Sequence, residues 1–251
     1  MTAMSSRFGL RALVTRPRAE AAGLTDALAT RGIEAILEPM LDIHYRDEPT
    51  PDLTGVQAIL CTSANGVRAL ARVAAERDRP VFTVGDSTAA RARAEGFVRV
   101  ESAGGNVADL ARLVRDRLHL GDGRLLHIAG TEVAGDLAGD LRAHGFEVER
   151  AVLFEARPAA ALSAGTVRAL ASGIVDFALF FSPRTAAIFA GLAERAGITE
   201  ALRGVTAVSI SVAADKALAV VAFREHCVAY TPDQSGLLAA LDRLFVERRR
   251  A

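Results

Sequence analysis

Short apolar runs alternate with amphipathic segments along almost the whole chain. Residues 10–16 form the first apolar run and predict a strand. Residues 19–31 predict a helix, because Leu24 and Leu28 are four positions apart and so share one helical face. A second strand is predicted over residues 33–39.

The same alternation continues to the end of the chain. Further apolar runs predict strands over residues 56–63, 80–85, 97–102, 124–130, 146–156, 175–182, 205–211 and 226–232. Helical patterns lie between them. Short apolar strands that alternate with helices are typical of parallel sheets covered on both faces, so we predict an α/β fold.

The chain also repeats its own pattern, which indicates two related halves. Three pairs of segments match: residues 11–39 with 125–153, 58–70 with 177–189, and 82–96 with 207–221. The members of the first pair both read strand, turn, helix, glycine, strand.

Two extended, proline-bearing stretches, residues 38–51 and 151–162, interrupt this pattern. If the chain leaves one domain at the first stretch and returns at the second, the two stretches run antiparallel as a connector. The predicted organisation is a discontinuous domain of residues 1–38 and 160–251, a second domain of residues 45–150, and a two-stranded linker of residues 39–44 and 151–159. The cleft between two such domains is the default place for a ligand.

The composition of the chain argues against some classes of binding partner. The 251 residues are enough for one large or two modest domains. Thirty Lys and Arg balance thirty Asp and Glu, and this zero net charge argues against nucleic acid or a membrane surface as partner. No apolar run approaches the roughly 18–20 residues of a membrane span. No signal-peptide pattern opens the chain, so a cytoplasmic location is expected.

The cysteines and histidines give no support for a metal site. Cys61 and Cys227 lie in apolar runs and are predicted to be buried rather than reactive or disulfide-bonded. The five histidines show no metal-ligand spacing, and glycine-rich nucleotide motifs are absent, so we predict no metal and no cofactor. Lys216 is the single lysine; an anion site must therefore use Arg, hydroxyls and backbone N–H groups.

The segment CTSANGVRAL, residues 61–70, places Thr62, Ser63 and Asn65 between a predicted strand and a predicted helix. A helix N-terminus has unpaired N–H groups and partial positive charge, and so binds carboxylates or phosphates. Asn65 and Gly66 predict a turn that lets such N–H groups face outward. The alternative is that Ser63 or Asn65 simply caps the helix, an interaction worth roughly 1 kcal/mol.

Similar polar junctions follow other predicted strands. They are Thr15-Arg16-Pro17, Gly85 to Thr88, Ser102 to Gly105, Gly130-Thr131 and Ser182-Pro183. Because ligands of open α/β sheets bind outside the carboxyl ends of the strands, this recurrence favours binding over capping alone. Arg16 is either a bidentate carboxylate ligand or a solvated arginine, and Pro17 can open a helix.

The order of these motifs resembles the uroporphyrinogen-III synthase family. The matching segments are residues 13–17, 62–70, 84–89, 95–97, 125–130, 181–186 and 232–241, which together span nearly the whole chain. The resemblance implies two flavodoxin-like α/β domains joined by a two-stranded ladder and no metal or organic cofactor. It also implies that a linear tetrapyrrole, hydroxymethylbilane, loses water and closes to uroporphyrinogen III with its last pyrrole ring inverted. We expect a monomer.

The junctions and the resemblance together give a set of expected substrate-binding residues. They are Thr15, Arg16, Pro17, Thr62, Ser63, Asn65, Gly66, Gly85, Thr88, Ala89, Gly130, Ser182 and Pro183. Thr88 and Ser63 are the candidates for a catalytic donor, with Thr62 as a further hydrogen-bond donor.

The sequence departs from the family pattern at several positions. Phe154 stands where the family usually has a Tyr thought to assist loss of the hydroxyl, and a phenyl ring cannot exchange a proton. Ala134 replaces a common Arg. In the second-half copy of the IGxxTA motif, Ser211 and Ala214 replace Gly and Thr, whereas the first-half copy is intact.

The sequence contains no paired carboxylates, Ser/His/Asp set or Cys/His pair at a convincing place. We therefore predict catalysis by templating, in which the protein folds a reactive substrate and hydrogen-bond donors stabilise the departing hydroxide. One alternative is a two-domain small-ligand binding protein, such as a sugar-binding regulator core. Another is a paralogue of the synthase that has lost activity.

Overall fold

A computed structural model of the protein describes residues 9–48, 50–132 and 135–248. The strands are β1 (Leu10–Val14), β2 (Ile33–Leu37), β3 (Leu41–Tyr45), β4 (Val56–Cys61), β5 (Val81–Thr83), β6 (Val100–Ser102), β7 (Arg124–Gly130), β8 (Val148–Pro158), β9 (Phe177–Phe180), β10 (Thr206–Ser209) and β11 (Glu225–Val228). The helices are α1 (Arg18–Ala29), α2 (Ala64–Val73), α3 (Asp86–Ala94), α4 (Val107–Arg117), α5 (Leu137–Ala143), α6 (Ala164–Ala171), α7 (Pro183–Arg195), α8 (Val212–Lys216) and α9 (Gln234–Arg248), with a 3-10 helix at Thr199–Gly204.

The chain divides into two compact units. Unit 1 consists of Met1–Asp42 and Pro158–Ala251, and unit 2 of Ile43–Arg157. The chain leaves unit 1 within β3 and returns to it at the end of β8. Each unit has one sheet built mainly of parallel strands, so the prediction of an α/β fold with parallel sheets is confirmed.

The sheet of unit 1 has the strand order β11-β10-β9-β1-β2, and its neighbouring strands pair in parallel. Numbered within the unit, this is the order 2-1-3-4-5 of doubly wound sheets. Apolar side chains cover both faces. Phe180 and Phe189 belong to the cluster on one face, and Leu24 and Leu241 to the cluster on the other. Leu24 and Leu28 are fully buried, which confirms the predicted apolar face of α1.

The sheet of unit 2 has the order β3-β8-β7-β4-β5-β6. Its parallel strands follow the other doubly wound order, 3-2-1-4-5 when read from the opposite edge, with β3 added at the edge beside β8. The Arg46 N–H donates to the Leu153 carbonyl over 2.8 Å just beyond β3. Two apolar clusters again cover the faces, one containing Leu70 and the other Leu110.

The predicted strand over residues 97–102 is wrong at its start, and only β6 is extended. Gly96 has φ +91°, and the N–H groups of Gly96 and Phe97 donate to the Arg93 and Ala92 carbonyls at the end of α3. This pattern is a Schellman motif, in which the chain closes the helix before any strand can begin. Phe97 is consequently buried against the core.

The predicted strand over residues 226–232 is also too long. β11 ends at Val228, and Tyr230 beyond it is 85% exposed. Within the described part of the chain, no helix combines the length and the apolar character needed to cross a membrane.

Candidate functional site

The strand order of each sheet reverses at one point, and predicted site motifs follow the strands on both sides of it. In unit 1 the reversal lies between β1 and β9, and in unit 2 between β4 and β7. Because these neighbours are parallel, their carboxyl ends lie at the same edge of the sheet. Such reversal points are where open α/β sheets bind ligands. We call the polar edge after β1 and β9 rim 1, and the edge after β4, β5 and β7 rim 2.

The junction after β4 forms the centre of rim 2. Ser63 is extended, with φ −155° and ψ 156°, and its Oγ accepts a hydrogen bond from the Gly66 N–H over 3.2 Å. Ser63 therefore caps α2, as the capping alternative expected. The predicted turn at Asn65 and Gly66 is wrong, because the helix already begins at Ala64 and both residues lie in its first turn.

Gly66 lets the start of α2 approach β7 closely. A Cβ atom built at Gly66 would lie 3.3 Å from the Ile128 carbonyl oxygen. The glycine thus lets the helix lie close to the sheet.

Asn65 is 8% exposed and is held by its neighbours. Its Oδ1 accepts hydrogen bonds from Arg68 Nη1 over 2.9 Å and from the Tyr45 hydroxyl over 3.4 Å. Thr62 directly precedes the capping Ser63 in the chain and is half-buried. Rim 2 therefore contains two half-buried hydroxyl residues, Thr62 and Ser63, next to a buried amide.

The junction after β5 is the second part of rim 2. Gly85 is the N-cap of α3, and no side chain caps this helix. The N–H groups of Thr88 and Ala89 donate to the Gly85 carbonyl over 3.1 and 3.0 Å. Thr88 is 4% exposed and Ala89 is fully buried, so the side chain of Ala89 does not fit the predicted binding role.

The helices that begin at the two rims differ in whether their first turn contains an acidic residue. The first turns of α2 and α7 contain no Asp or Glu, whereas α1 has Glu20 and α3 has Asp86. A carboxylate in the first turn already satisfies the helix dipole and repels a second anion. Of these four termini, those of α2 and α7 are therefore electrostatically the more favourable for an anion, and they are equivalent positions in the internal repeat.

Gly130 ends β7 and packs against Phe154 of β8. A Cβ atom built at Gly130 would lie 2.8 Å from Cε2 of the Phe154 ring. The Gly130 carbonyl accepts a hydrogen bond from Arg150 Nη2 over 2.6 Å, and Phe154 itself is buried. Both residues thus contribute to the packing of the core beneath rim 2.

We expect Gly130→Ala to lower the free energy of unfolding by about 1–3 kcal/mol, because the new methyl group overlaps the Phe154 ring. The cost should fall below about 1 kcal/mol in a Phe154→Leu background, where the ring is gone. Urea unfolding measures both values. Gly23→Ala is the control, because nothing lies within 4 Å of its added Cβ in α1. An equal cost of Gly130→Ala in both backgrounds would contradict this packing.

Rim 1 begins with the junction after β1. The Thr15 side chain is fully buried and donates to the Leu179 carbonyl over 2.7 Å, so it ties β1 to β9 and does not fit the predicted binding role. Arg16 is half-buried, with Nη1 2.9 Å from Gln234 Oε1 and its guanidinium 4.5 Å from the centre of the Phe181 ring. Contacts with Gln234 and Phe181 thus hold the Arg16 side chain in place at the rim, so it is not simply solvated. Pro17 precedes α1 as its N-cap.

The junction after β9 completes rim 1. Ser182 caps α7 by accepting from the Thr185 N–H over 3.1 Å, and Pro183 is the first helical residue. Ser182 is half-buried and Pro183 is exposed. Ser211 caps α8 in the same way, which explains how serine can replace the glycine of the first-half motif.

The predicted site residues therefore fall into two groups. Those that are half-buried or exposed at a rim are Arg16, Pro17, Thr62, Ser63, Gly85, Ser182 and Pro183. Those that are buried are Thr15, Asn65, Gly66, Thr88, Ala89 and Gly130. Ala134 lies outside the described residues.

Neither cysteine forms a disulfide. Burial raises the pKa of the Cys61 thiol to about 12, so this side chain is an inert part of the core, as predicted. Cys227 is only half-buried. Among the residues that the structure describes, no group of three or more His, Cys, Asp or Glu side chains could hold a metal ion.

Two buried polar residues were missed by the sequence analysis. Glu38 is 6% exposed just after β2, and its carboxylate accepts from the Ser163 N–H and hydroxyl over 2.8 and 2.6 Å and from the Thr166 hydroxyl. His127 is 3% exposed within β7, and neither ring nitrogen has a hydrogen-bond partner among the described residues. Burial, with a smaller contribution from Arg150, lowers the pKa of His127 to about 4. The signal for His127 was its position inside the apolar run LLHIAG.

The fold and the two rims define an α/β protein with two parallel-dominated sheets, each with polar junctions at its reversal point. The model of the family uroporphyrinogen-III synthase HemD matches residues 22–239, and the chain belongs to this family. None of the curated proteins matches the chain.

Solved structures give the same fold. The uroporphyrinogen-III synthetase from Helicobacter pylori aligns with a TM-score of 0.63 at 17% identity, over 94% of this chain and 99% of that one. A mutant uroporphyrinogen III synthase from the extremely thermophilic bacterium Thermus thermophilus aligns with a TM-score of 0.55 at 17% identity, over 96% and 100% of the two chains. At these identities the likeness is evidence for the fold alone.

Proposed function

We propose that this chain is a uroporphyrinogen-III synthase, which dehydrates and cyclises hydroxymethylbilane to uroporphyrinogen III with inversion of the terminal pyrrole ring. The observation that carries the proposal is the family match over residues 22–239, which reaches into both units and covers rim 2 and the part of rim 1 after β9. The predicted motifs at both reversal points support it.

We propose that units 1 and 2 are the two domains of this enzyme, joined by β3 and β8 as an antiparallel two-stranded connector. The hydrogen bond from the Ala159 N–H to the Met40 carbonyl, over 3.0 Å, supports this arrangement together with that from Arg46 to Leu153. As residue numbers rise along one strand they fall along the other, which is the pattern of an antiparallel pair.

The substrate carries several carboxylates, and the two rims offer matching sites. We assign one carboxylate site to the α2 N-terminus with Thr62 and Ser63, and another to the α7 N-terminus with Ser182. Arg16, which also pairs with Glu20 over 3.4 Å, supplies a charged contact to a third carboxylate at rim 1. Two of these sites use no charged side chain, which suits a chain with one lysine and no net charge.

In the proposed reaction, the hydroxyl of the substrate leaves with a proton as water and an electrophilic azafulvene remains. The terminal ring attacks it through its substituted carbon to form a spiro intermediate, which rearranges to the type III ring. The Ser63 hydroxyl is the more accessible candidate to donate a hydrogen bond to the departing oxygen, and Thr88 is the second. Since Phe154 can only pack, the protein contributes mainly by holding the bent shape of the substrate.

We further propose that the enzyme is a monomer of the cytoplasm. The free state of Cys61 and Cys227 agrees with a reducing compartment.

The test is to add purified protein to freshly prepared hydroxymethylbilane and to separate the oxidised product isomers by chromatography. The spontaneous reaction gives the type I isomer, so the proposal predicts that type III dominates and that its yield rises with protein concentration. Type I product alone, at the rate seen in buffer, would overturn the proposal.

A further inference from the structure

The Arg16 side chain at rim 1 is held by a neutral group from a distant part of the chain. Arg16 Nη1 donates to Gln234 Oε1 over 2.9 Å, although the two residues are 218 positions apart. Gln234 is the first residue of α9. The residue before it, Asp233, accepts from the Gly236 N–H over 2.7 Å and so fixes the start of this helix. The Arg16 contact therefore joins the start of α9 to the junction after β1.

A second contact between the same two parts of the chain is of a different kind. Arg31, just after α1, donates to the Asp242 carboxylate of α9 through Nε over 2.8 Å and through Nη2 over 3.0 Å. This pair is ionic and bidentate, whereas the acceptor of Arg16 at the rim is an uncharged amide. A carboxylate in place of the Gln234 amide would offset the positive charge of Arg16.

Arg16 retains both donors and charge for a ligand. Of the five N–H groups of its guanidinium, one donates to Gln234 and one faces Glu20 Oε2 at 3.4 Å. Charge-assisted hydrogen bonds are shorter, about 2.7–2.9 Å, so Glu20 is the weaker partner. The guanidinium has no other polar partner within residues 9–48, 50–132 and 135–248, which leaves three N–H groups unpaired. The side chain is 23% exposed, and the half-buried Phe181 ring beside it leaves the charge intact.

We infer that Gln234 is a positioning residue for substrate binding, whose neutral amide holds the Arg16 guanidinium at rim 1 and leaves its positive charge for a substrate carboxylate. This inference rests on the proposed function, because it deepens the Arg16 contact assigned there. An arginine without a partner samples many rotamers, and ordering it on binding costs free energy. The amide oxygen removes this cost, and it adds no negative charge that would compete with the substrate.

Two substitutions of Gln234 separate the hydrogen bond from the neutrality of the amide. Gln234→Met keeps the length of the side chain and removes the acceptor, so we expect KM to rise about 3- to 10-fold with kcat within about twofold. Gln234→Glu keeps the contact but gives Arg16 a charged partner, so KM should rise about tenfold or more. If the contact only joined α9 to the β1 junction, Gln234→Glu would preserve it and KM would stay at the wild-type value.

A second background and a control make the test specific. In an Arg16→Met background, Gln234→Met should change KM no further, because there is no guanidinium left to hold. Ser235→Glu adds the same charge at the next, exposed position of α9, and its KM should stay within about twofold of wild type. Urea denaturation verifies that each variant is folded.

KM is obtained from the rate of type III product formation at increasing concentrations of hydroxymethylbilane. The Kd for uroporphyrin III, measured by fluorescence titration, adds a readout without turnover and should follow KM. If Gln234→Glu behaves like Ser235→Glu, or if Gln234→Met raises KM equally in both backgrounds, the inference is overturned while the proposed function stands. If the wild-type chain forms no type III product, the proposed function fails first, and the inference fails with it.

Discussion

Replacing Glu38 with alanine is expected to lower the free energy of unfolding by about 2–4 kcal/mol, as measured by urea denaturation. The carboxylate is 6% exposed and joins the end of β2 to the N-terminus of α6 through the Ser163 N–H, the Ser163 hydroxyl and the Thr166 hydroxyl. Its negative charge also lies at the positive end of the helix dipole. Alanine removes the acceptor for all three donors and leaves space where the carboxylate was.

Two further variants help to assign this loss. Glu38→Gln separates the effect of the charge from that of hydrogen bonding, and Glu34→Ala compares a buried glutamate with an exposed one. Glu38→Gln keeps the shape and one acceptor oxygen, so about half of the loss should remain. Glu34→Ala on the adjoining strand β2 is the matched control, because its ion pair with Arg11 over 2.7 Å involves a Glu34 side chain that is 62% exposed. Exposed pairs contribute about 0–1 kcal/mol, so this change should be small. Equal losses for Glu38→Ala and Glu34→Ala would show that burial of Glu38 contributes nothing.

His127 is expected to make the protein sensitive to acid. Its pKa is about 4 in the folded chain against an ordinary value of 6.5, so the unfolded chain takes up a proton first as pH falls. Protonation then favours unfolding. The stability of the neutral form is fully present above pH 6.5, decreases through the window from 6.5 to 4, and levels off below it. The difference between these two pKa values corresponds to a loss of about 3 kcal/mol.

The variant His127→Leu measures this effect directly. Leucine suits a site on β7 beside Leu60 and removes the titrating group, so the variant should lose about 3 kcal/mol less than wild type between about pH 7 and pH 4. His144→Leu is the control, because His144 is exposed and makes its hydrogen bond at the surface, with the Asp140 carbonyl. If the free energies of unfolding of wild type and His127→Leu change in parallel across this pH range, His127 is not a buried neutral histidine.

The sequence pattern predicted the layers of the fold well, because apolar periodicity directly reflects which faces are covered. Leu24 and Leu28 of α1 are buried as expected, and the internal repeat anticipated that β4 with α2 and β9 with α7 would be equivalent. The polar junctions were found for the same reason, since each directly follows an apolar strand.

Contacts between segments distant in sequence were not predictable from the pattern. Glu38 and Ser163 are 125 positions apart, and only the fold brings them together. The Tyr45 hydroxyl reaches Asn65 because β3 is added to the edge of the unit 2 sheet. Local patterns also could not distinguish a rim residue that is accessible, such as Ser63, from one that is buried, such as Thr15, because the depth of a side chain depends on its neighbours.

Templating by rim hydroxyls is the central claim, and the product isomer ratio of two rim 2 variants tests it most directly. Ser63→Ala removes the accessible hydroxyl, and Thr88→Val removes a hydroxyl while keeping the branched shape. Both should slow formation of type III product about tenfold or more and increase the share of type I. Ser172→Ala, at the C-terminal end of α6, should behave like wild type. Wild-type rates and isomer ratios in both rim variants would contradict the claim.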